Sequence, residues 1–214
     1  MLFTKFDEFF AGQSGNPVAI NYKRTRVMLS NALAFRSGDS ITFYRLRPPH
    51  SPRFDARRGE VIDRIKRMSE LAAREGITLM HENEAGIYGE SSARCRDLLE
   101  SVNMPNFKAV YDPSNFVGAG EAPLDESLPN IREYVDYLHV KDSRKTDNVI
   151  VPCGEGDAQI ADILPLFADG DYFLTLEPHL AIVGRERGFS GPQLFEVAHS
   201  ALTGLLKKAG IQYT

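Results

Sequence analysis

The chain has 214 residues, of which 43% are hydrophobic and 25% charged, with 17 Gly and 12 Pro. Those proportions belong to an ordinary globular domain and exclude disordered, collagen-like and low-complexity classes, while no apolar run approaches the roughly 20 residues of a membrane helix. The net charge of −4 is uneven: residues 1–76 carry 14 Lys and Arg against 8 Asp and Glu, and the acidic remainder argues against broad contact with nucleic-acid phosphates.

The first 53 residues are the least patterned. Phe3, Phe6, Phe9 and Phe10 fit one face of a short helix, Tyr22 to Phe35 fits a second helix, Ile41 to Leu46 a strand, and Pro48 to Pro52 a loop. From Asp55 the pattern is clear. A helix to about Glu75 places Val61, Ile62, Ile65, Met68 and Leu71 on one face, and Gly76 stops it. The strand Ile77 to Met80 ends in His81-Glu82-Asn83-Glu84. A helix from Ser92 to Val102 follows, then a strand from Phe107 to Tyr111 that ends in Asp112-Pro113-Ser114-Asn115. The next helix, near Leu128 to Val135, leads to the strand Tyr137 to Val140, and a long loop after it holds Gly154-Glu155-Gly156. A helix near Ile160 to Phe167, the strand Tyr172 to Leu176 and a helix from Pro192 to Lys208 complete the chain.

Strands alternate with helices and no linker intervenes, which predicts one α/β domain over 1–214 with a parallel sheet. Its form is either an open doubly wound sheet or a closed (β/α)8 TIM-type barrel. The absence of a Gly-rich phosphate fingerprint after any strand favours the barrel.

Glu82, Asp112, His139 and Glu177 each stand at the carboxyl end of a predicted strand, 30, 27 and 38 residues apart, close to one helix-plus-strand unit each time. Alternation places Met80 with Glu82, Tyr137 with His139 and Lys141, and Thr175 with Glu177, opposite the more apolar positions. In a barrel these polar groups converge on the axis at the end where barrel enzymes place their chemistry. Two Glu, one Asp and one His form an oxygen-rich donor set suited to Mn²⁺, Mg²⁺ or Co²⁺ rather than a thiolate zinc site. Taken singly, a strand-end Glu is a cap or ion-pair partner and a strand His a core residue.

The stretch 54–180 resembles the sugar phosphate isomerase/epimerase family of xylose-isomerase-like barrels, whereas 1–53 matches poorly. The residues that carry the likeness are Leu79-Met80-His81-Glu82-Asn83-Glu84, Tyr111-Asp112-Pro113-Ser114-Asn115, Leu138-His139-Val140-Lys141-Asp142, Gly154-Glu155-Gly156 and Leu176-Glu177-Pro178-His179. The resemblance implies a divalent metal, Mn²⁺ foremost with Mg²⁺, Co²⁺ or Zn²⁺ as alternatives, held by Glu82, Asp112, His139 and Glu177. It also implies that Glu82 and Glu177 act as the acid/base pair on a sugar or sugar phosphate. Isomerising a ketose requires loss of a weakly acidic proton beside a carbonyl. A divalent ion offsets the charge of the enediolate, one carboxylate removes the proton and the other returns it.

Asn115 stands where many relatives carry a substrate-touching histidine, and Lys145 where some carry an arginine. Both are substrate-binding candidates, as are Lys141 and His179. For Lys141 the competing reading is a surface pair with Asp142, for His179 a helix cap, and for Gly154 and Gly156 a tight turn rather than a phosphate cradle. His50, His81 and His199 read as structural.

The leading function is a metal-dependent sugar isomerase or epimerase. The alternatives are a non-catalytic barrel that binds a sugar or protein partner and, more remotely, an abasic-site endonuclease, which would need more inward-facing histidines. Cys95 and Cys153 form no paired motif, and with Lys5, Asp7 and Glu8 near the start a secretory signal is not expected. The expected location is the cytoplasm, without membrane or nucleic-acid partners. A complete barrel takes about 250 residues and eight strands. Only five strands are legible, and the one near Ile41 would be the fourth of the barrel. The expectation is therefore a barrel lacking its first two or three strand units, with exposed edges that promote a homo-oligomer.

Overall fold

The central strands are short runs of β-branched, aromatic and large apolar residues. A computed structural model of the chain describes residues 26–28, 36–37, 40–41, 55–177, 179–180 and 192–213. Five parallel strands form one sheet among them, in the order β1 (Arg26–Met28), β4 (Thr78–Glu82), β5 (Phe107–Tyr111), β6 (Val135–Val140) and β9 (Phe173–Leu176). Two-residue strands make small antiparallel pairs elsewhere: β2 (Arg36–Ser37) with β3 (Ser40–Ile41), and β7 (Asp142–Ser143) with β8 (Ile150–Val151).

Helix α1 (Arg58–Arg74) precedes β4 and α2 (Ser92–Val102) precedes β5. Within α2, Cys95, Leu98, Leu99 and Val102 recur at helical spacing and are buried. The Ser91 hydroxyl accepts the Arg94 N–H at the start of α2, and Asn103 ends it in the left-handed conformation with φ 47°. Gly76, at φ 67°, turns the chain between α1 and β4. After β5 comes the short α3 (Pro113–Ala119), which the sequence did not announce. The segment Pro123–Tyr134 runs as a π turn, α4 (Leu128–Ile131) and a 3₁₀ turn. Helix α5 (Ile160–Ile163) continues as a 3₁₀ turn to Phe167, and α6 (Pro192–Lys208) closes the described chain.

The two faces of the sheet have different cores. Leu79, Ala109, Tyr111 and Leu138 meet Ile62, Ile65, Met68, Leu98 and Leu99 of α1 and α2, whereas Met80, Val110 and Tyr137 form a separate cluster on the axis side. A bulge sets the phase of β6. Ala109 pairs with Val135 but Val110 with Tyr137, so Asp136 is an extra residue. Val135 therefore packs with the helix-side core while Tyr137 faces the axis, and His139 with it.

Two expectations for the N-terminal part require correction. Arg26–Met28 falls inside the predicted helix Tyr22 to Phe35, yet it is a strand, paired with Thr78, Leu79 and Met80. The open edge of β4 offers it ladder hydrogen bonds, and tertiary pairing overrides a local periodicity. The strand next to β4 is therefore this one and not the one near Ile41, which belongs to the β2–β3 hairpin. The Phe3–Phe10 helix, residues 42–46 of the predicted strand, the proline loop and His50 lie outside the described residues. No helix among the described residues is long and apolar enough to cross a membrane.

Candidate metal centre

Four neighbouring strands each deliver one side chain to the same point. Glu82 closes β4, Asp112 follows β5, His139 lies near the end of β6 and Glu177 follows β9. One donor atom from each lies within 4.8 Å of the other three. Glu82, Asp112 and His139 are almost wholly buried, and the Glu177 side chain is 24% exposed, which leaves the cluster reachable from its side.

The contacts are specific. His139 Nδ1 stands 2.9 Å from Glu82 Oε1 and 3.1 Å from Glu177 Oε1. Lys141 Nζ stands 2.8 Å from Asp112 Oδ2 and 3.4 Å from Glu177 Oε2. Asp112 divides its two oxygens between tasks: Oδ1 accepts the Asn115 N–H as the N-cap of α3, while buried Oδ2 has no aligned hydrogen bond among the described residues and lies beside the Lys141 ammonium. The cap reading of a strand-end carboxylate holds for Asp112 through Oδ1, and Oδ2 is left facing the cluster.

Burial and charge act in opposite directions here. Burial alone would lower the His139 pKa, but hydrogen bonds to Glu177 and Glu82 reverse this and raise it to about 9. Burial would raise Glu177, yet hydrogen bonding to His139 and the charge of Lys141 lower it to about 2. Burial raises Asp112 despite Lys141, and the carboxylates around Lys141 hold its pKa high against burial.

These groups fit a small divalent ion. A single ring nitrogen carries one proton, so His139 Nδ1 cannot fully serve two carboxylate oxygens at once. Oxygen and nitrogen donors at ~2.1 Å from one ion lie ~3 Å apart when adjacent, close to the spacing of this trio. Glu82, Asp112, His139 and Glu177 are the residues that would hold such an ion.

A family model described as xylose isomerase-like TIM barrel matches residues 24–201. The chain belongs to the xylose isomerase-like TIM barrel family. The probable 3-DHS dehydratase of petrobactin synthesis from Bacillus anthracis is similar to it, with 22% identity and a TM-score of 0.59 over 70% of this chain and 57% of that one. The 3-keto-D-glucoside 4-epimerase of E. coli is 16% identical, with a TM-score of 0.57 over 78% of this chain and 60% of the epimerase. A xylose isomerase-like TIM barrel protein from Mycobacterium smegmatis, solved in complex with magnesium, is 17% identical, with a TM-score of 0.55 over 79% and 56%. At such identities the likeness carries the fold, and the chain spans less than two thirds of each of these proteins. A search of curated proteins returns no match.

The remaining candidates of this xylose isomerase-like chain separate into two groups. Lys141 is inside the cluster, and its partners are Asp112 and Glu177 rather than Asp142. His179 is exposed beside Glu177, its N–H donating to the Glu177 carbonyl. Asn115 lies beside the cluster, but its side-chain N–H donates to the Asn83 carbonyl, which ties α3 to the end of β4. Lys145 is exposed on the β7–β8 turn, where its backbone N–H meets Asp157, and no described contact brings it to the cluster.

Gly154 and Gly156 do bind an anion, but it is internal. Their N–H groups donate to Asp142 Oδ2, and that of Ala158 donates to Oδ1. A Cβ on Gly156 would lie 2.2 Å from Asp142 Oδ1 and 2.7 Å from the Ser143 carbonyl, so the close approach requires glycine. Sequence reasoning gave Asn83 no role of its own. Its amide accepts the Asp112 N–H and donates to the Asp112 carbonyl, clamping the ends of β4 and β5 together. The signal available was an amide one residue beyond a strand-end carboxylate. His81, by contrast, faces the helix layer, near the Gly89 carbonyl and Cys95.

Proposed function

We propose that the chain carries out metal-dependent isomerisation or epimerisation of a sugar or sugar phosphate through an enediolate. The observation that carries this reading is the convergence of Glu82, Asp112, His139 and Glu177 on one point at the carboxyl end of a TIM-type sheet. Those four residues would hold the ion. When bound, it supplies a positive charge that offsets the negative charge developing on the substrate oxygen.

Glu82 and Glu177 are the acid/base pair. They approach the cluster from β4 and β9, with β5 and β6 between them, so they can reach a bound sugar from two directions. One removes the proton from the carbon beside the carbonyl, and the other returns a proton to the opposite face or to the neighbouring carbon. Lys141, buried within the cluster, and exposed His179 both lie near Glu177 and supply donors for substrate hydroxyls. Because Gly154 and Gly156 already hold Asp142, a substrate phosphate would need other donors.

The test is the uptake of solvent deuterium at C2 or C3 of free and phosphorylated ketoses, with Mn²⁺ present. Exchange into at least one ketose is expected. Glu82→Gln and Glu177→Gln should each keep the ion and slow exchange by roughly 10²-fold or more. A metal-loaded chain that binds sugars but exchanges none of their protons would be a non-catalytic sugar-binding barrel.

A further inference from the structure

A divalent-ion cage is built from electron-pair donors, and Lys141 is not one. It nevertheless lies inside the cluster, its side chain only 7% exposed, at 2.8 Å from Asp112 Oδ2 and 3.4 Å from Glu177 Oε2. It points there by strand parity, on the same face as His139 and Tyr137. Oδ1 of Asp112 already caps α3, so Oδ2, the oxygen beside the ammonium, is the one left to the cluster. The ammonium and an incoming ion therefore draw on the same atom.

The charges explain why a lysine stands there. Glu82, Asp112 and Glu177 bring three carboxyl groups together in a largely buried space. His139 Nδ1 faces Glu82 and Glu177, so the Lys141 ammonium is the cation that stands beside Asp112 and offsets like-charge repulsion there. We propose that Lys141 is the resident counter-cation of the cage, holding Asp112 and Glu177 in place before a divalent ion arrives and opposing that ion's entry once it does. This rests on the metal-cage reading above. Lys141 is then a positioning residue with two opposite effects: it stabilises the empty cage and weakens the loaded one through like-charge repulsion at close range.

The experiment compares the full chain with its Lys141→Met and Lys141→Gln variants by thermal melting without metal and by calorimetric titration with Mn²⁺. Both variants should melt earlier than wild type without metal, recover with saturating Mn²⁺, and bind Mn²⁺ at least tenfold more tightly. A variant that folds only in the presence of Mn²⁺ gives the same answer. Unchanged or weaker Mn²⁺ binding would overturn the proposal, since a lysine that merely supports the ligands would lower affinity 10–100-fold when removed. Failure of both variants to fold even with Mn²⁺ would also overturn it. A wild-type chain that binds no Mn²⁺ would instead remove the metal-cage reading itself, an outcome read from wild type alone.

Discussion

His81 and His139 are buried to the same degree, each 1% exposed, on neighbouring regions of one sheet, yet their chemistry is opposite. His81 faces the helix layer. Its Nε2 lies near the Gly89 carbonyl, its Nδ1 has no hydrogen-bond partner among the described residues, and burial lowers its pKa to about 4. His139 faces the axis between two carboxylates, and its pKa rises to about 9 despite burial. Burial alone thus does not distinguish a histidine of the apolar core from one set among carboxylates. The face of the strand decides, because it determines whether the ring meets apolar side chains or anions.

The largest expected effect comes from removing the axis-side ring. His139→Ala should weaken Mn²⁺ binding by about 10³-fold or more, roughly 4 kcal/mol at 1.4 kcal/mol per tenfold, measured by titration calorimetry. His81→Gln, which keeps a neutral polar group near Gly89, should leave Mn²⁺ affinity within a few fold. Equal losses in both would erase the distinction between the two faces.

A second effect sharpens the contrast in stability. The folded pKa of His81 lies below the unfolded value near 6.5, so the unfolded chain takes up the proton first as pH falls. Its contribution is complete above pH 6.5 and is lost as pH falls through 4, by about 3 kcal/mol at 1.36 kcal/mol per pH unit. Denaturant melts between pH 7 and 4 should show wild type losing stability faster than His81→Gln over that window. Parallel curves would mean that His81 titrates normally in the folded chain.

The smallest signal is a proton. A pKa raised against burial to about 9 by Glu177 and Glu82 favours protonated His139 at neutral pH when no ion is bound, with a stabilising effect present below pH 6.5 and lost as pH rises through about 9. An ion that takes Nδ1 must expel that proton. Mn²⁺ titrations at pH 7.5 in buffers of different ionisation enthalpy should therefore report release of about one proton in wild type and none from this position in His139→Ala. Buffer-independent heats in wild type would place the ion elsewhere.

Much of this was legible in the chain because period-two alternation is a local property. Tyr137, His139 and Lys141 share a face for the same reason that Leu138 and Val140 share the other, and the strand ends of β5 and β9 lie where polarity changes abruptly. What was not legible depends on distant partners. Nothing near Arg26 announces that Thr78 will pair with it, so helical spacing prevailed in the reading and strand pairing prevails in the fold. The carboxylate beside Lys141 in sequence, Asp142, is not its partner, because three N–H groups from 154–158 have already claimed it. The β6 bulge was equally silent, since an extra residue at Asp136 has meaning only against β5.

Asp112 carries one more implication. A carboxylate with one oxygen bonded to the first turn of a helix is held in one orientation, and embracing an ion with both oxygens would strain that bond. Calcium prefers six to eight oxygens at 2.3–2.6 Å and recruits bidentate carboxylates to reach that number, whereas magnesium and manganese accept fewer protein donors at shorter range. Should Asp112 hold an ion, its bond to the start of α3 would favour contact through one oxygen and so disfavour calcium relative to magnesium or manganese.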